Sequence, residues 1–405
     1  MSRGIRDFQA ARLQQALAAR RLTQGQLASL AGVSPATVSK WRAGDQFPES
    51  DALERLAFKL NLEPEWFTRP MLGESLAPKF RSNAQALVTA RSMLEARMAW
   101  AQEIAFKLGE FADYPVVNLP QRHFTDPEQI SDSDIELAAQ ECRDLWRLGR
   151  GPVQDLALAV ESAGVIIVRE ETEISSIEGL SDWSEVLQRP MVHLSADKAN
   201  GFRSRFDLAH ELAHLVLHRY VPRATERNRY KQIEKQAHQF AGAFLLPAET
   251  FTAEIRLPVT LDNLLILKQR WGVSVAAMLM RLETLGIIDD EGKLSLFKRR
   301  SARWGAKSEP GDDKRAPEQA RLLRRTVELL ISSGVMPAVA IPRHLGLSAR
   351  DVESLAGLRE GFFESPSEVV ELATLRAVAP RRVATKTGDA SANVMQFSRR
   401  SPDAP

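Results

Sequence analysis

Apolar positions in the first 68 residues recur every three or four places and are broken by turn signals. That spacing predicts short helices at Phe8 to Arg20, Thr23 to Ala31, Pro35 to Arg42 and Ser50 to Leu60. Helices of this length bury their apolar stripes on one another, so 1–70 is expected to be a compact all-α unit. Pro64, Pro70 and Pro78 bound a connector. Ser82 to Phe111 then has the composition of one long helix that ends before Pro115 and Pro120, giving a helical connector over 71–114. From Ser131 the texture becomes mixed, with helices to about Leu148 and from Val153 to Ala163, a β-branched run from Val165 to Val168, and a strand-like run around Met191 to Leu194. Phe206 to Tyr220 and Glu226 to Leu245 return to helical spacing, and Leu261 to Leu285 adds two helices joined at Gly272 to Ser274. A mixed α+β region follows from this pattern. The polar, Gly-rich stretch Gly305 to Asp313 reads as a boundary, 314–380 as a helical C-terminal region, and 381–405, with few large apolar residues, as a disordered tail. No internal repeat is apparent.

Composition narrows this mainly-α, multidomain reading. With 405 residues and 44% apolar content the chain is an ordinary globular protein, and disordered or fibrous classes are excluded. A formal net charge of +2 means that any nucleic-acid contact must come from a local patch. The single cysteine, Cys142, can make neither an internal disulfide nor a cysteine-rich metal site, so a metal here must be held by His and carboxylates, as suits a reducing cytosol. Met1 to Ala19 has no continuous apolar core and no later run reaches eighteen apolar residues. Neither a signal peptide nor a membrane span is therefore expected, and a cytoplasmic location is. Of seven histidines, His193, His210, His214, His218 and His238 fall within one short stretch, which is the first pointer to chemistry.

The N-terminal helices carry the first motif. In Thr23-Gln24-Gly25-Gln26 the threonine can cap a helix with Gln26 at the capping-box position, and Gly32 ends that helix. Ser34 then caps a second helix with Pro35 at its first position, after the three-residue turn that a helix-turn-helix requires. Val33, Val38 and Trp41 give the second helix an inward face. Ala36, Thr37, Ser39 and Lys40 point outward with Arg42 at the end, suited to groove edges and phosphates, and Gln24 is placed to touch the DNA backbone. Leu22 to Gly44 resembles the XRE family of helix-turn-helix regulators, whose lambda-repressor-like fold it implies, although Gly25 stands where the family usually has a larger polar residue. The resemblance implies binding of a double-stranded operator, by a homodimer because such domains generally read two half-sites.

The second motif is His210-Glu211-Leu212-Ala213-His214. Two imidazoles four residues apart on a helix lie about 40° apart and about 6 Å along the axis, so both can reach one metal ion. Glu211 is placed to take a proton from a metal-bound water, which would make it the catalytic residue of a zinc hydrolase. A third ligand is needed. Glu234, opening a helix that runs to Pro247, is the choice, with Glu226 as its competitor and His238 as an alternative or a supporting partner. His218 is about 12 Å along the helix from His210, too far for the same ion. Tyr220, Tyr230 and His193 are candidates for an oxyanion-stabilising donor.

Arg205-Phe206-Asp207-Leu208-Ala209-His210-Glu211-Leu212-Ala213-His214 through His218, followed by Glu234, Phe240-Ala241 and Leu245-Leu246-Pro247, looks like the ImmA/IrrE metallopeptidase family. The likeness extends over about 115–305. It implies a gluzincin-like α+β domain with His210, His214 and Glu234 as Zn²⁺ ligands and Glu211 as the catalytic base. His238 and Ala213 stand where Asn and Gly are common. The expectation is a DNA-binding transcriptional regulator carrying a zinc endopeptidase that cleaves a repressor protein, a partner or itself, on a stress or mobile-element signal. Two alternatives stand beside it: a transcription factor whose metal domain only senses or docks, and an antitoxin-like autorepressor.

Overall fold

The computed structural model describes residues 4–73, 85–173, 178–222, 226–305 and 307–364. The N-terminal bundle is α1 (Ala10–Ala19), α2 (Gln24–Ala31), α3 (Pro35–Ala43) and α4 (Ser50–Leu60), followed by a 3-10 turn at Pro64–Thr68. Its boundaries follow from local chemistry. Thr23 Oγ1 accepts from the Gln26 amide while Gln26 Oε1 accepts from the Thr23 amide at 2.8 Å, closing a capping box, and Gly32 turns left-handed at φ 68° to stop the helix. Ser34 Oγ accepts from the Thr37 amide at 3.1 Å and starts α3 with Pro35 in its first turn.

The long helix α5 (Gln85–Leu108) packs into the fold. Trp100, Ala101, Ile104 and Ala105 are fully buried against α1 and the C-terminal helices. After α6 (Asp132–Leu145) and α7 (Leu156–Ser162) comes a sheet of β1 (Ile166–Glu170), β2 (Gly179–Ser184) and β3 (Arg189–Ser195), in the order β1-β3-β2. β1 runs parallel to β3, with Val168 opposite His193; β2 runs antiparallel to β3, with Leu180 opposite His193 and Ser181 opposite Val192. β2 is an edge strand that the hydrophobic pattern does not announce.

Helices α8 (Gly201–Leu217), α9 (Arg227–Leu245), α10 (Ala248–Ala253), α11 (Leu261–Trp271), α12 (Val275–Thr284) and α13 (Asp290–Trp304) complete the central region. The polar stretch after α13 is tied back to it. Buried Glu309 accepts from the Val275 and Ala276 amides at the start of α12, at 2.8 and 3.0 Å, and pairs with Lys268 and Arg300. Of the helical C-terminal region, the structure shows α14 (Leu322–Ser332), α15 (Ala340–Leu345) and α16 (Ala349–Ala356); 365–380 and the tail 381–405 lie outside the described residues.

Because side chains alternate along a strand, the sheet feeds two cores. Val165, Ile167, Val192 and Leu194 pack with α8 and α9 in one; Ile166, Val168 and Met191 enter the other with α1, α5, α14 and α16. The N-terminal bundle therefore shares its core with the back of the sheet. Buried charges cross the same junction. Arg97 on α5 bonds Glu170 of β1, Nε to Oε1 at 3.0 Å, and donates to Asp351 of α16 at 2.5 Å, while Arg20, the residue after α1, donates to both oxygens of Asp351 at 2.7 and 2.5 Å. His193 Nε2 and Ser354 Oγ complete the shell of Glu170 at 2.9 and 2.8 Å.

The pair α15–α16 echoes α2–α3. Gly346 at φ 77° ends one helix, Ser348 caps the next by accepting from the Asp351 amide at 3.1 Å, and Gly346-Leu347-Ser348 repeats the turn Gly32-Val33-Ser34. Here the second helix points inward: Asp351, Val352, Glu353, Leu355 and Ala356 are buried, so it packs where α3 is open. Leu347 forms a β-bridge with Leu62, and Arg69 Nη1 donates to the Leu345 carbonyl at 3.0 Å, docking the two pairs together.

Close backbone approach is required at Gly201, the first residue of α8, where a Cβ would lie 2.5 Å from the Ala316 carbonyl oxygen and 2.6 Å from that of Arg315. Gly201→Ala is expected to cost about 1–3 kcal/mol by overpacking, read as a lower urea midpoint with an unchanged slope. Among the described residues no helix is long and apolar enough to cross a membrane.

Candidate metal centre

Helix α8 starts at Gly201, five residues before the apolar spacing suggests, because the Asn200 side chain accepts from the Arg203 amide at 3.1 Å and caps it. Its buried Leu208, Leu212 and Leu215 pack with Ala237, Phe240, Ala241 and Phe244 of α9, and this crossing brings Glu234 over the His210 and His214 face. His210 Nε2 lies 3.1 Å from His214 Nε2 and 3.3 Å from Glu234 Oε2; His214 Nε2 lies 3.8 Å from Glu234 Oε1.

Ligand atoms of these three residues all fall within 4.8 Å of one another, the one such group found among the described residues. Zinc bonds of about 2.0–2.1 Å in a tetrahedron demand roughly 3.3 Å between neighbouring donors, and the observed separations bracket that edge. Two imidazole nitrogens and a carboxylate oxygen are also the donor set a catalytic zinc takes, so the residues fit the ion. Electrostatics agree. Burial alone would lower the His210 pKa, but its hydrogen bond with Glu234 and the nearby carboxylates of Glu211 and Asp207 raise it, the signature of a site whose field favours a cation.

Glu211 points to the other side, towards β2. Ser181 Oγ donates to its Oε2 at 2.6 Å, and Gly179 leaves it room, since a Cβ there would sit 2.9 Å from Oε1. Burial pushes the Glu211 carboxyl up to about 7, with Glu234 and Asp207 adding to the rise and His210 and Ser181 opposing it. A carboxyl group near neutrality beside a histidine pair has the properties of a general base.

The other candidates are placed as follows. Glu226 is the residue before α9 and does not join the cluster. His238 donates from Nδ1 to the Glu234 carbonyl at 2.7 Å with its ring 4.5 Å from that of His210, so it braces the site from outside. His193 is turned away: strand alternation sends it to Glu170 on the far face of the sheet. Tyr220 is exposed and stacked on His123. Burial first, and then the Glu234 carboxylate one turn on, raise the pKa of Tyr230, with Arg91 from α5 opposing. Ser181, Gly179 and Arg91 escaped the sequence reading; only the glycine in a polar run hinted at them.

At the other end of the chain Ala36, Ser39 and Lys40 are exposed on α3, and Thr37 is half-buried with its hydroxyl 2.8 Å from that of Ser34. Gln24 is turned inward: its Nε2 donates to the Pro35 carbonyl at 2.7 Å and its Oε1 accepts from Arg42 at 3.0 Å, locking α2 to α3. Gln24 and Arg42 thus set the angle of α3 in the free protein.

Comparison with known families places both motifs. Residues 13–67 match the helix-turn-helix family, and residues 160–283, from the end of α7 through α12, match the family described as the IrrE N-terminal-like domain. No curated protein matches the chain. The chain therefore joins an XRE-type helix-turn-helix domain to an ImmA/IrrE-like peptidase-family domain.

Proposed function

We propose that this protein is a DNA-binding transcriptional regulator carrying a zinc-dependent endopeptidase, which cleaves a repressor protein, a partner or the chain itself, in response to a stress or mobile-element signal. The observation that carries the reading is the convergence of His210, His214 and Glu234 donor atoms beside a buried, hydrogen-bonded Glu211. His210, His214 and Glu234 would hold the zinc ion, which when bound would supply an acidified water and Lewis-acid polarisation of the scissile carbonyl. Glu211 would take the proton at its carboxylate and return it to the leaving amine, with Ser181 orienting that carboxylate and Tyr230 lying beside Glu234 in its field. The exposed α3 surface of Ala36, Ser39 and Lys40, with Thr37 and Arg42 at its margin, reads the operator as a homodimer, while Gln24 contacts a phosphate after releasing Pro35.

Elemental mass spectrometry on untagged protein tests the centre. About one zinc per chain is expected in the wild type, lost in His214→Ala and Glu234→Ala. Failure of metal-depleted wild type to take up zinc or another divalent cation would overturn the peptidase reading. Retention in Glu234→Ala would move the third ligand. A second reading, in which the metal domain senses without turnover, is favoured by the core it shares with the N-terminal bundle; zinc uptake that changes operator affinity without any cleavage would select it.

A further inference from the structure

Behind His214 lies a hydrogen-bond chain that reaches into the core. His214 Nδ1 is 3.1 Å from His218 Nδ1, and His218 Nε2 is 3.2 Å from Gln236 Oε1. The Gln236 Nε2 atom lies 2.7 Å from the Pro127 carbonyl oxygen and 3.2 Å from that of Ile130. His218 is fully buried and Gln236 nearly so.

The proton positions follow from what each atom can do. Two backbone carbonyls only accept, so the end of the Gln236 side chain facing them is the NH₂ group, and its oxygen faces His218. An amide oxygen only accepts, so His218 Nε2 carries a proton. A neutral imidazole has one N–H, so His218 Nδ1 is bare and accepts, and the donor across from it is His214 Nδ1–H. That leaves the lone pair of His214 on Nε2, the atom that faces His210 and Glu234. The alternative, a doubly protonated His218, would place a charge in a fully buried ring and put the His214 proton on the wrong nitrogen.

We propose that His218 and Gln236 are positioning residues that fix His214 in its Nδ1–H tautomer and so hold its Nε2 lone pair ready for a divalent cation. Among the described residues His210 has no such support: its Nδ1 is buried and none of them hydrogen-bonds it. The two imidazoles are therefore unequal, one locked by a relay anchored on the backbone at Pro127 and Ile130, the other free to adapt. This rests on the metal-centre reading for what the lone pair binds, but the tautomer stands without it.

The test uses the full chain with ¹⁵N-labelled histidine. In metal-free wild type, long-range ¹H–¹⁵N spectra are expected to show an Nδ1–H ring that disappears in His214→Ala and an Nε2–H ring that disappears in His218→Phe. In Gln236→Leu the His214 ring should shift towards Nε2–H. Zinc affinity, measured by competition with a chromophoric chelator, should fall about 10–100-fold in His218→Phe and in Gln236→Leu, with thermal unfolding confirming that each variant folds. If His218→Phe fails to fold, Gln236→Leu and the wild-type spectra carry the test. An Nε2–H tautomer at His214 in the metal-free wild type would overturn the proposal, as would unchanged zinc affinity in a folded Gln236→Leu. Zinc binding with the expected tautomers but no proteolysis would sink the peptidase reading alone.

Discussion

Glu211→Gln is expected to abolish proteolysis while leaving about one zinc per chain. A positioned general base contributes about 10²–10⁴-fold, and here the same group must also deliver the proton to the leaving amine, so the loss should reach the upper end of that range. The glutamine is isosteric, and Ser181 Oγ can still donate to its amide oxygen at the place where it now meets Glu211 Oε2. The donor cluster of His210, His214 and Glu234 does not include Glu211, so metal content should hold. The readout is mass spectrometry of the zinc-loaded chain, alone and mixed with co-encoded repressors, beside elemental analysis of both proteins. Equal cleavage by wild type and variant would remove Glu211 from the reaction.

The largest effect on stability is expected from Arg97→Met. The guanidinium sits between Glu170 and Asp351, and all three side chains are at most 9% exposed. Removing it leaves buried Glu170 without its guanidinium partner and Asp351 with Arg20 as its one remaining cation, and breaking such a buried pair costs about 3–5 kcal/mol. The pH dependence gives an independent check. In the wild type burial would raise both carboxyl pKa values, but Arg97 and His193 hold Glu170, and Arg20 and Arg97 hold Asp351, below the ordinary range. A carboxylate depressed in the folded state contributes stability that is complete above its unfolded pKa of about 4 and is lost as pH falls through the folded value. The wild type should therefore lose stability below about pH 4. The variant should show its deficit chiefly at neutral pH, with the two urea midpoints converging on acidification. A constant offset at every pH would mean that packing, not charge, is what Arg97 supplies.

How much of this was legible depended on the range of the interaction. The caps at Thr23 and Ser34 act within three residues, and both helices begin where those side chains place them. The pairing of His210 with His214 is one helical turn and was equally visible. Glu234 is another matter: sequence gave two carboxylates and a histidine to choose from, and the packing of Phe240 and Phe244 on Leu208 and Leu212 decides which of them meets the ring nitrogens. β2 was missed because Gly179-Leu-Ser-Asp-Trp-Ser has no β-branched residue and is a strand only through its ladder to β3, so Ser181 and Gly179 had no context. His193 drew attention as a histidine among histidines, yet a one-residue step along β3 separates the site face from the far face. The α15–α16 turn was readable as Gly346-Leu347-Ser348, but nothing local shows that the second helix faces inward.

The common core has a bearing on self-processing. If the chain cut itself once between α4 and α5, the severed piece would still hold α1 against α5 through Leu13, Leu17, Trp100 and Ile104, with Arg20 clamped on Asp351 and Leu62 bridged to Leu347. A single nick would thus yield a complemented complex rather than a liberated DNA-binding fragment. Derepression by autoproteolysis would require a second event, such as degradation from the new ends, before the operator is vacated.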